Sequence, residues 1–129
     1  MRTSRFEQRK INVLDQLKWI ADHNYEGYDR PTSQSNGKVA VYKADINRLL
    51  NTVDQLWSYA HWNGRPQMIL DTDDLQIKLE AIVDSICHGS KNEYHVDWEV
   101  SAEIEFELAK SQIESAIIEP VTTWIHRVG

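Results

Sequence analysis

A chain of 129 residues with 41% hydrophobic and 26% charged side chains has the size and composition of one globular domain, too short for two independent cores. Its net charge of −6 argues against bulk nucleic-acid binding, which needs clustered Lys and Arg. The single cysteine, Cys87, leaves no internal disulfide to form and suits a reducing compartment.

The chain opens with a basic stretch, Arg2, Arg5, Arg9 and Lys10 against Glu7, where a signal peptide would need an apolar run. No apolar run approaches the roughly 20 residues of a bilayer span, so a cytoplasmic protein is expected. Helical periodicity then runs from about Ser4 to Asn24, with Phe6, Val13, Leu17 and Ile20 on one stripe. The basic residues read as the solvated start of this helix rather than as a nucleic-acid contact.

Tyr25 to Tyr42 contains Gly27, Pro31, Asn36 and Gly37, which punctuate a long loop. Within it, Lys38-Val-Ala-Val-Tyr42 reads as a short strand, because β-branched and aromatic residues suit a pleated surface. From about Lys43 to Trp62 the apolar residues Ile46, Leu50, Val53, Trp57 and Ala60 recur at helical spacing, and Leu49 and Leu56 widen the stripe. Asn63-Gly-Arg-Pro66 is a turn. A third helix starts among the carboxylates of Asp71 to Asp74, which suit a positive helix end. It runs through Leu75, Leu79, Ile82 and Ile86 and stops at Gly89.

The segment from Tyr94 to Leu108 alternates strictly. Tyr94, Val96, Trp98, Val100, Ala102, Ile104, Phe106 and Leu108 are apolar, and the odd positions are polar, which is a strand period. Yet Ala102, Phe106, Ala109, Ile113 and Ala116 also recur at helical spacing. Residue propensities divide the segment into a strand at 94–100, an N-cap at Ser101 and a helix at 102–119, ended or kinked by Pro120.

The expected fold is therefore mainly α, a small single-domain bundle of about four helices with a short β ribbon pairing 38–42 with 94–100. The alternative is an α+β fold with one long strand at 94–108. Ile104 and Leu108 lie off the last helix's stripe, and burying them against a second copy would make a homodimer.

The most distinctive chemical feature is acidic. Asp97, Glu99, Glu103, Glu105, Glu107 and Glu114 crowd the C-terminal half, where residues 93–119 hold only Lys110 in opposition. In an extended strand the odd-numbered carboxylates would repeat at roughly 6.5–7 Å along one face, a phosphate-like ladder for a basic partner. Trp62 stands at a loop with Tyr59, His61 and Arg65, the residue types of interface hot spots. Cys87, His88 and His95 lack the paired spacing of a zinc site, and no Gly-rich phosphate loop occurs. No catalytic, metal or cofactor residue is therefore assigned.

These features predict a non-enzymatic acidic binding protein, an adaptor, regulator or inhibitor. In its sharpest form it is a decoy for a basic, nucleic-acid-binding protein partner, itself binding neither nucleic acid nor membrane. One alternative is a helical ligand-binding protein or hydrolase with a pocket joining residues 59–65 to the 25–41 loop. The other is a structural subunit of a larger assembly.

Overall fold

The computed structural model describes residues 4–28, 37–64, 70–89 and 98–128. Among these residues five α-helices follow in order: α1 (Arg5–Asp22), α2 (Gly37–Trp62), α3 (Thr72–Gly89), α4 (Trp98–Ile113) and α5 (Glu119–Arg127). A π-helical segment, Glu114–Ile118, joins the last two into one continuous rod. The result is a small, mainly α bundle of four rods, with no strand among the described residues.

Local chemistry sets several of the rod ends. The Ser4 hydroxyl accepts from the Glu7 backbone N–H (3.1 Å), an N-cap that satisfies one of the donors a helix start leaves open. Asp71 does the same for Asp74 N–H at the start of α3 (3.0 Å). α2 ends where Gly64 adopts φ 77° and donates to the His61 carbonyl (3.1 Å), a left-handed turn that glycine enters without a Cβ penalty.

The rods bury one stripe each. Val13 and Ile20 of α1 meet Ile46, Leu49, Val53 and Leu56 of α2, Leu79 of α3, and Ile113, Ile117 and Ile125 of the last rod in one cluster. Each such side chain contributes about 1.5–3 kcal/mol by leaving water. α1 packs on α2, α2 on α3 and α3 on α4, while α2 also meets α4 and α5 returns to α1 to close the ring.

Two sequence expectations are corrected. Residues 38–42 are the first turns of α2, and 98–100 are the first turn of α4, so neither the ribbon nor a strand over 98–108 forms. Residues 94–97 lie outside the described residues. Lys38, Val39, Tyr42, Asp45 and Ile46 are all buried at helical spacing, and this packing outweighs the weak β-propensity of two valines. Ser101 correspondingly lies within α4 rather than before its first residue.

Pro120 neither ends nor sharply breaks the last rod. The Glu119 N–H reaches back five residues to the Glu114 carbonyl, the wide π turn that relieves the crowding a proline ring imposes on the preceding turn. The buried face explains why the widening is retained. Ala109, Ile113, Ile117, Val121 and Ile125 are buried at successive steps of four. An α-helix turns about 100° per residue, so each step would drift by about 40°. The slower π winding returns the later residues to the core side.

Candidate functional site

The loop after α1 is built to deliver one aromatic residue. His23 closes the helix, its N–H donating to the Trp19 carbonyl (3.0 Å), and the Asn24 side chain accepts from Glu26 N–H (3.1 Å) to hold a tight turn. Tyr25 between them sits at φ 57°, a left-handed conformation that costs a bulky residue about 1 kcal/mol or more. Side-chain contacts offset that strain. The Tyr25 ring is buried edge-on to Tyr42 (5.3 Å between centroids) and His23 (4.4 Å), and tilted against Phe106 of α4 (5.6 Å). His23 in turn stacks on Trp19 (4.3 Å).

The phenol of Tyr25 donates to Asp45 Oδ2 at 2.8 Å. Asp45 is only 6% exposed, and its other oxygen, Oδ1, has the guanidinium of Arg48 at 3.6 Å. Burial, and then the adjacent Asp45 carboxylate, hold the Tyr25 phenol well above its usual range, so it stays a neutral donor. Burial does the same to Tyr42, helped by the negative charge of Glu114. A cleft of about 130 Å³ opens beside Asp45, walled by Gln16, Trp19 and Ile20 of α1 and by Arg48. None of these residues was singled out from the sequence as a site. The available signal was the helical spacing of 16, 19 and 20 on one rod and 45 and 48 on the next, which pattern reading assigns to ordinary amphipathic faces.

The acidic residues are not a ladder. At about 100° per residue, α4 puts Glu103 and Glu107 within about 40° of each other but turns Glu105 roughly 160° from both. Glu103 is engaged: Lys38 Nζ, buried at the start of α2, donates to its Oε2 and lies 5.4 Å from the Phe106 ring centroid. Glu105 is half-buried, and Glu107 and Glu114 are exposed. Glu99 belongs to the first turn of α4, and Asp97 lies outside the described residues.

Ile104 and Leu108 are 62% and 48% exposed, one turn apart on the side of α4 opposite its buried Ala102, Phe106, Ala109 and Ile113. Glu103, Glu107 and Glu114 line one edge of that apolar pair, with Lys110 among them. The last rod thus carries an outward face that is apolar at its centre and mainly acidic along one edge.

Trp62 is 84% exposed at the end of α2, edge-on to His61, which stacks on Trp57 (5.1 Å). Tyr59 is engaged from α1 by the Arg9 guanidinium, 5.4 Å from its ring centroid. Arg65 lies outside the described residues. Much of the pocket expected near 59–65 and the 25–41 loop, residues 29–36 and 65, lies outside the described residues. Residues 41 and 59 lie near opposite ends of α2, about 27 Å apart along a helix rising 1.5 Å per residue. The described residues contain no group of three potential metal ligands, and no described helix is long and apolar enough to cross a membrane. No protein-family model matches this chain, nor does any curated protein or solved structure.

Proposed function

We propose that this chain is a cytoplasmic, non-enzymatic binding protein that docks a basic, amphipathic protein segment on the outer face of α4. One observation carries the reading: Ile104 and Leu108 project outward side by side, with exposed Glu107 and Glu114 along their edge. Apolar centres with polar rims are the anatomy of interfaces, and a basic rim on the partner would match the chain's net charge of −6. A nucleic-acid-binding protein is one such partner, recognised through its basic surface rather than by a phosphate mimic. Self-association through this face is disfavoured, because two copies would bring acidic rims together.

Affinity capture with the immobilised wild-type chain, I104S/L108S and E107K/E114K tests the proposal. A partner held by the wild type is expected to be lost from both variants, and to be weakened by salt through screening of the charged rim. Retention by both variants would refute α4 as the docking face. Sedimentation of the isolated chain is expected to show no dimer that these substitutions dissolve.

A further inference from the structure

The cleft between α1 and α2 has a chemistry separate from the α4 face. At its polar end stands the Asp45 carboxylate. Among the described residues, Oδ2 accepts from Tyr25, while Oδ1 receives no hydrogen bond and has the Arg48 guanidinium at 3.6 Å. An ionised carboxylate offers about four acceptor sites, so Asp45 has room for a further donor from the cleft. Arg48 does not seal the position, because its side chain is 74% exposed and this contact is beyond hydrogen-bond reach. Between the two charges the wall is apolar, formed by Ile20 and by Trp19, which is 48% exposed. Gln16, also in the wall, gives its amide N–H to Thr52 (2.8 Å) and keeps a buried oxygen with no partner among the described residues.

We propose that this cleft binds a small zwitterion of the α-amino-acid class, its ammonium on Asp45, its carboxylate on Arg48 and its side chain against Trp19 and Ile20. The charges set the class. A simple cation would have to displace Arg48 from Asp45 and leave that guanidinium without its partner. A simple anion would meet the Asp45 carboxylate. A zwitterion inserts between them, gives Oδ1 a donor, and offers Arg48 a carboxylate at the exposed mouth of the cleft. The size sets the side chain: about 130 Å³ is roughly four waters' worth of space, enough for a small aliphatic residue such as valine. The site is held in place by the strained turn at Tyr25, whose phenol fixes Asp45 Oδ2. The larger cleft of about 390 Å³ between α2 and α3 pairs no carboxylate with a cation. Four of its polar side chains are bonded across the helices, Gln76 to Asn47 and Thr72 to Asp54 (3.3 Å).

The test is a titration followed by heteronuclear NMR at the Trp19 indole N–H, a signal identified by its loss in W19F. The probes are L-valine, isobutylamine (the same molecule without the carboxylate) and 3-methylbutanoate (the same without the ammonium). L-valine is expected to move the Trp19 signal saturably, and both truncated probes to bind about tenfold more weakly or worse. R48A and D45N should each weaken valine by a similar factor. The D45N amide oxygen still accepts from Tyr25, so that variant should stay folded. If it does not, R48A at its exposed position carries the test alone. Isobutylamine binding as tightly as valine would replace the zwitterion with a plain cation and overturn the proposal. So would a Trp19 signal that valine leaves unmoved, or moves equally in R48A. None of these results depends on the α4 face.

Discussion

The hydrogen bond from Tyr25 to Asp45, 2.8 Å long, ties a strained loop residue to a buried carboxylate 20 positions further along the chain. Because each group is buried, each depends on the other for its polar satisfaction. Y25F should cost about 1–3 kcal/mol, since it removes the donor and leaves Asp45 Oδ2 unmet. D45N should cost less, because an amide oxygen can still accept. Urea unfolding reads both, as a fall in midpoint at constant slope. Equal stability of Y25F and wild type would show that the bond contributes nothing.

Alkaline stability follows from the same centre. In the unfolded chain Tyr25 and Tyr42 ionise near pH 10, while the fold raises both by burial. A group whose folded pKa is raised contributes stability that is complete below its unfolded pKa and is lost as pH climbs above it. Thermal midpoints should therefore hold level up to about pH 10 and fall beyond it. Y42F should flatten that fall. It should also be nearly neutral or stabilising at pH 7, because the Tyr42 hydroxyl is buried with no partner among the described residues.

On α4, neighbouring residues should behave in opposite ways. I104S/L108S touches only exposed positions and should change stability by about 0.5 kcal/mol or less per site, while abolishing partner capture. F106A opens a cavity beside Tyr25 and Tyr42 and should cost about 3–5 kcal/mol. Circular dichroism melts of both variants separate a surface role from a core one.

The π segment makes a further prediction. If the spacing of Ile113, Ile117, Val121 and Ile125 holds it open, P120A should keep the bond from Glu119 N–H to the Glu114 carbonyl. Backbone chemical shifts across 114–119 would read this. Reversion to uninterrupted α-helix in P120A would instead assign the widening to the proline alone.

What the residues determined by themselves was the bundle. Apolar stripes at helical spacing fix which side of each rod must leave water, and the Ser4, Asp71 and Gly64 signals fix where rods begin and end, because these are effects within one turn of chain. The two misread stretches, 38–42 and 98–100, carry β-branched or aromatic residues whose local preference is weak. Burial of Val39 and Tyr42 against partners distant in sequence settled the first of them. Helical spacing already set Ile104 and Leu108 off the buried stripe of the last helix, but only the tertiary structure stood α1 beside α2 so that Trp19 shares a cleft with Asp45 and Arg48. The reason is physical: periodicity states which face of a helix is apolar, whereas a site arises where faces of different helices meet, and that meeting depends on how whole rods pack.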